Sequence, residues 1–273
     1  MKHCWQVAVR EIRIGFRNPW AYTFMGLFVL FMAGLLLINA QGMVSGYSGA
    51  TGTMLNLIVT FLPLITLMLG SFALTDEKEN GNWELLSTYP LSTLAFVCGK
   101  YAGQAVVLLA IAAAGFGFAG IAGWLAGSAF DFSTYLLLLF FSAGIVLSFL
   151  AISMLAGTLA RNRWQALTVA VAVWFFLIIA WPPLLIAFLG QLPYLWIKPA
   201  LTALTMLNPA EWMRLFTVVK LGGGSTLGPE YYFWMEWMQG PFGTAAFLAV
   251  LALWITVLLG AACGLWERGR THG

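Results

Sequence analysis

Thr134–Ala160 reads TYLLLLFFSAGIVLSFLAISMLAGTLA, 27 residues without one Asp, Glu, Lys, Arg or His. About 20 apolar residues in a helix cross a hydrocarbon core of about 30 Å, so this run is predicted to span a bilayer. A transmembrane β-strand needs about ten residues of alternating polarity, and this run is continuous. Working outward, five more such stretches are found, at about Trp20–Ala40, Leu55–Thr75, Tyr101–Ala126, Trp164–Leu189 and Gly243–Trp266. The expectation is an all-α integral membrane protein with six transmembrane helices, folded as a single domain over 1–273. Composition agrees. The chain is 61% hydrophobic and 8% charged, against about 25% charged in soluble domains. Its aromatic content of 15% excludes disorder. A net charge of +3 from scattered residues excludes nucleic acid as a partner.

Lys2, Arg10, Arg13, Arg17, Lys78, Lys100, Arg161, Arg163, Arg268 and Arg270 fall on one side of this six-span layout. Only Lys198, Arg214 and Lys220 fall on the other. The positive-inside rule then predicts that both termini are cytoplasmic. The first apolar run is too long for a cleavable signal peptide and lacks a small-x-small site, so the N-terminus is expected to stay attached.

The spans lack ionisable residues in their middles. Ion-driven carriers place proton relays or cation ligands there, so an ion-coupled mechanism is disfavoured. There is no GxxxxGK[ST], hence no Walker-type ATP hydrolysis by this chain. Cys4, Cys98 and Cys263 lie far apart in sequence and suggest neither a disulfide framework nor a zinc site. His3 and His272 read as solvated tails. Met206, Met213, Met235 and Met238 form no tight soft-metal cluster. No metal, cofactor or catalytic residue is therefore assigned to this chain.

Three connecting regions carry pattern. In residues 1–19, Trp5, Val9, Ile12 and Phe16 share one helical stripe, and Arg10, Arg13 and Arg17 share another. This predicts an amphipathic helix in the lipid headgroup layer, broken at Asn18-Pro19. Residues 76–100 hold the densest charge, as Asp76-Glu77-Lys78-Glu79-Asn80-Gly81 followed by Asn82-Trp83-Glu84-Leu85-Leu86. Gly81 is placed to end the incoming helix. Apolar anchors beside an acidic edge suit a protein partner better than anionic lipid. Residues 190–242 form a long outer connection. Within it, Asn208-Pro209-Ala210-Glu211 is a helix start, with Asn as cap and Pro at the first position. Trp212, Leu215, Phe216 and Val219 then recur at helical spacing. That face is expected to rest on lipid as an aromatic belt, or to form an exit or partner site with Arg214 and Glu211.

The 76–100 segment resembles the signature of type-2 ABC exporter permeases, roughly E-x-E-x-G-T-x-E-x-L-L-x-x-P with a later G-K. Glu77, Glu79, Gly81, Glu84, Leu85, Leu86, Pro90, Gly99 and Lys100 fit it, and Asn82 stands where the family usually has Thr. The resemblance implies that the loop, with Trp83 among its anchors, carries a coupling helix. That helix would meet a separate ABC ATPase subunit, which holds the ATP and Mg. It further implies a multi-pass protein of the bacterial plasma (inner) membrane, with a second copy of itself as partner and membrane lipids around it. Two passages, Thr88-Tyr89-Pro90-Leu91-Ser92 with Gly99-Lys100, and Asn208-Pro209 with Arg214-Leu215-Phe216, are similar to the permeases of nitrous oxide reductase maturation. Gliding-motility permeases share parts of the first. The narrower resemblance implies an extracytoplasmic β-helical partner and a role in supplying sulfur for a copper–sulfide centre. The competing expectations are a generic drug, lipid or polysaccharide exporter of the same fold and a non-transporting membrane assembly factor.

Overall fold

The computed structural model of the chain describes residues 2–38, 43–81, 92–125, 127, 129–228 and 231–271. Its elements in order are α1 (Lys2–Gly15), α2 (Pro19–Ile38), β1 (Met43–Val44), α3 (Gly49–Glu79), α4 (Thr93–Leu125), β2 (Ala129–Phe130) and α5 (Phe132–Leu159). There follow α6 (Arg163–Trp174), a π-helical segment (Phe175–Ala180) and α7 (Trp181–Leu189), which together make one span. The chain then forms α8 (Tyr194–Leu207), α9 (Pro209–Lys220), a 3-10 turn (Gly224–Thr226), α10 (Tyr232–Gln239) and α11 (Gly243–Thr271). The two short strands pair in parallel, Met43 with Ala129 and Val44 with Phe130.

Among the described residues, six helices are long and apolar enough to cross a membrane. They match the six stretches read from the sequence, with longer ends. At 1.5 Å per residue, α3 and α4 reach about 46 and 50 Å, well beyond a hydrocarbon core. Local chemistry sets the starts. Asn18 accepts a hydrogen bond from the Trp20 amide at 3.1 Å, and Pro19 opens α2. Asp131 caps α5 and Asn162 caps α6.

α3 and α5 form the enclosed centre, with Leu67, Leu74, Phe141, Phe149 and Met154 among their fully buried side chains. They approach closely because small residues face each other. A Cβ on Gly70 would fall 2.0 Å from Ser153 Oγ, and one on Gly157 would fall 2.9 Å from the Ser71 carbonyl. The α6–α7 span is the least enclosed by protein.

Within 190–242 the described residues are largely helical. α8 and α9 form a hairpin whose corner is inserted among the spans. At that corner the Met206 carbonyl accepts from Trp254 Nε1 at 3.0 Å. Trp254 lies eleven residues into α11, about 17 Å from its start. Asn208 at the corner is fully buried. Its side chain accepts from the Ala210 amide at 3.0 Å and donates to the Leu177 carbonyl at 2.7 Å. Leu177 sits in the π-helical segment, halfway along its span. From there α9 returns to the end where α5 begins, and the Leu221 carbonyl accepts from the Tyr47 amide at 2.8 Å.

Candidate coupling site

The last four residues of α3, Asp76-Glu77-Lys78-Glu79, point to different neighbours. Glu77 turns inward to a buried charge cluster between α1 and α4. Lys100 is at its centre and is 2% exposed, with Glu11 at 3% and Glu77 at 4%. Lys100 Nζ donates to Glu11 Oε2 at 2.9 Å and to the Ala73 carbonyl at 2.8 Å, and lies 3.1 Å from Glu77 Oε1. The three ammonium donors are thereby engaged. Gln104 Nε2 donates to the other Glu11 oxygen at 2.9 Å, and half-exposed Arg10 donates to Glu77 Oε1 at 2.9 Å. Two carboxylates thus face two cations, which is the condition under which charges survive burial.

Lys78 goes elsewhere. Its ammonium donates to the carbonyls of Gly157, Thr158 and Ala160, at 3.1, 2.7 and 2.7 Å, closing the C-terminus of α5. A cation there also complements the helix dipole. Asp76 pairs with the Arg163 guanidinium. Glu79 accepts from the Arg163 amide at 2.7 Å and lies 3.4 Å from its Nε. Four consecutive charges therefore tie the end of α3 to α1, α4, α5 and α6.

Gly81 has φ +67° and follows the C-cap Asn80, so it ends α3 where the sequence placed the stop. Trp83, Glu84, Leu85, Leu86 and Pro90 lie outside the described residues. The two helices run further into 76–100 than a loop would. Glu77 and Glu79 belong to α3, and Gly99 and Lys100 belong to α4. Glu77 and Lys100, both in the predicted coupling set, are buried, and each finds its counter-charge inside the protein. Gly99 has a packing role. A Cβ there would fall 2.8 Å from the Cys4 carbonyl, and one on Gly103 would fall 2.7 Å from the Ala8 carbonyl. These two glycines form the groove in which α1 lies.

α1 is the amphipathic helix expected, but its protein-facing side is Cys4, Val7, Ala8, Glu11 and Gly15. Trp5, Arg13, Phe16 and Arg17 face outward, with Trp5 70% exposed. Sequence reasoning missed Glu11 and Gln104. The signal for Glu11 was present, since it is the one acidic residue among four basic ones before the first span.

The residues of the third predicted site divide into buried and partly exposed ones. Asn208, Pro209, Trp212 and Phe216 are buried in the core, with Trp212 1% and Phe216 2% exposed. Phe216 stacks on Phe247 at 3.8 Å, and Trp212 packs on Phe247 and Trp234. Their apolar face is covered by α5, α10 and α11. Glu211 and Arg214 pair at 3.5 Å and remain partly exposed.

These features define a class: a polytopic helical membrane subunit whose spans are tied together by charge beside one connecting segment. A family model described as "ABC-2 family transporter protein" matches residues 5–269, and the chain belongs to that family. Two relatives carry the name "Probable ABC transporter permease protein NosY". The one from Pseudomonas aeruginosa is 30% identical over 281 residues, covering 97% of this chain and 98% of the relative. The one from Stutzerimonas stutzeri is 30% identical over 243 residues, covering 84% and 86%. The chain is thus the permease subunit of an ABC transporter, a multi-pass inner-membrane protein. Membership in this family implies an ATPase partner subunit, and permease subunits are not the catalytic ones.

Proposed function

We propose that this chain is the permease of an ATP-driven exporter that serves the maturation of nitrous oxide reductase. The observation that carries the reading is similarity to NosY-named permeases over nearly the whole chain. Two copies pair to give twelve spans, with the cargo path between them. Both termini and residues 80–92 are cytoplasmic, and the ATPase subunit docks on that segment. Glu79 and Gly81 shape its start, and Glu77, Gly99 and Lys100 act from beneath as positioning residues. The charged end of α3 supports this reading, because force applied to the segment enters four helices at once. The cargo is a sulfur- or metal-related species for a copper–sulfide centre. An extracytoplasmic β-helical protein receives it at the outer end of the bundle.

The test is deletion of this gene in its own host, followed by measurement of nitrous oxide consumption and of the copper–sulfide absorption of the purified reductase. Loss of both, restored by the gene on a plasmid, is expected. Full nitrous oxide reduction after deletion refutes the maturation role and leaves a general exporter of the same fold.

A further inference from the structure

Arg10, Arg13 and Arg17 are exposed on the outer side of α1 and in the turn that follows it. The neighbouring cations Lys78, Lys100 and Arg163 are all engaged by protein groups. Arg13 and Arg17 differ, because neither side chain has a hydrogen-bond or ion-pair partner among the described residues. Arg10 meets only Glu77, through one Nη1 hydrogen. The single acidic residue of α1, Glu11, is buried against Lys100 on the opposite side. At 3.6 residues per turn, Trp5, Val9 and Phe16 form an apolar strip beside the arginines. Trp5, Gln6, Val9, Arg10, Arg13 and Ile14 line one shallow surface cavity.

α4 fixes the depth of this face. Trp124, near the outer end of α4, is 72% exposed and marks one membrane interface. About 20 helical residues cross the hydrocarbon core, so the other boundary falls near Gln104. Its neighbour Gly103 packs against the Ala8 carbonyl and Glu11 of α1. The middle of α1 therefore lies at the level of the lipid headgroups.

We propose that the outer face of α1 binds an anionic phospholipid of the cytoplasmic leaflet, its phosphate between Arg10 and Arg13, and that Arg10 links this lipid to the buried charge cluster. The cytoplasmic placement of α1 rests on the orientation proposed above.

Three features select this ligand. A guanidinium is a planar fork of five N–H donors that matches phosphate at two points. Arg10 spends one donor on Glu77 and keeps its other edge for phosphate. The apolar strip gives an acyl chain a surface to lie on, for which a free phosphate ion has no use. An acidic protein segment would satisfy the arginines and leave Trp5 and Phe16 facing a charged chain. A zwitterionic headgroup brings its own cation, which the arginines repel. The bound lipid would tie α1 to the leaflet and, through Arg10 and Glu77, to the end of α3.

The test uses the permease with its ATPase subunit, delipidated in non-ionic detergent. The complex is titrated with dioleoylphosphatidylglycerol or dioleoylphosphatidylcholine, and bound lipid is counted by native mass spectrometry. Phosphatidylglycerol should bind the more tightly. Arg13→Gln should weaken it about fivefold, and Arg13→Gln with Arg17→Gln about twenty-five-fold, from the worth of one basic residue at an anionic surface. Phosphatidylcholine binding should not change. Arg161→Gln, which removes an exposed arginine away from α1, should leave both lipids unaffected. Equal affinity for the two lipids, or an equal loss in Arg161→Gln, overturns the site. Displacement of the lipid by an equal concentration of inorganic phosphate overturns it in favour of a free-anion site. Lipid binding to the permease alone that the ATPase abolishes assigns the face to the protein partner instead.

The link through Arg10 is read by amide exchange in nanodiscs. Phosphatidylglycerol should slow exchange in α1 of wild type and fail to do so in Arg10→Gln at saturating lipid, with the α3–α5 core unchanged in both. No slowing in wild type, or the same slowing in Arg10→Gln, refutes the link. Neither readout involves cargo, so failure here leaves the maturation role standing, and nitrous oxide reduction after gene deletion leaves this site standing.

Discussion

Replacing Lys100 with Met keeps the length and apolar stem of the side chain and removes only its charge. Glu11 and Glu77 then remain, 3% and 4% exposed, on either side of the space the ammonium occupied. Gln104 still donates to Glu11, and Arg10 still reaches Glu77. Arg10 is 49% exposed at its side chain, so water screens that pair and it compensates little. Removing one member of a buried ion cluster costs about 3–5 kcal/mol, because the opposite charge is left without its partner. At 1.4 kcal/mol per factor of ten, that is about two to three and a half decades in the folding equilibrium. The assay is reversible unfolding of the purified chain in mixed micelles of increasing denaturing-detergent fraction. The triple variant Glu11→Gln, Glu77→Gln, Lys100→Met should recover most of the loss, since it removes both orphaned charges together. A Lys100→Met variant within about 0.5 kcal/mol of wild type, the ordinary range of surface substitutions, would refute the buried-cluster reasoning.

Other outcomes follow from single contacts. Gly103→Ala places a Cβ 2.7 Å from the Ala8 carbonyl, and overpacking against backbone costs about 1–3 kcal/mol; faster amide exchange confined to α1 and α4 is the expected readout. Gly144→Ala meets the methyl end of Met213 at 1.9 Å. Because methionine repacks readily, adding Met213→Ala should relieve the strain, with the coupling read from a double-mutant cycle. Asn208→Asp keeps the acceptor for Ala210 and loses the amide donor to Leu177, so about 1–3 kcal/mol should be lost in the same micelle titration. For topology, a single cysteine at Ser225 in a cysteine-free background should react with an impermeant maleimide in intact cells, and one at Ser87 should not; the opposite pattern reverses the orientation.

The spans were legible because a 20-residue apolar run has few alternatives in physics. The stop at Gly81 and the helix start at Asn208-Pro209 were legible because caps are local chemistry. The charge cluster was not. Glu11 meets partners 89 and 93 residues away, and a hydropathy window reads Lys100 only as a flank. The Trp212–Phe216 stripe shows a different limit. Periodicity says that a face is covered, and does not say whether lipid, a partner or the chain's own helices cover it. α8 and α9 are too short and too mixed to register as spans, so their hairpin read as a surface connection.

The four charges ending α3 also govern how the bundle deforms. A helix end held by one contact can fray or swing while its neighbours stay still. Here a shift of Asp76–Glu79 must drag α1, α4, α5 and α6 along, or else break the ion pairs and hydrogen bonds that hold them. Small displacements are therefore shared among the helices, as in a stiff hub with spokes, and larger ones must arrive as a single concerted jump.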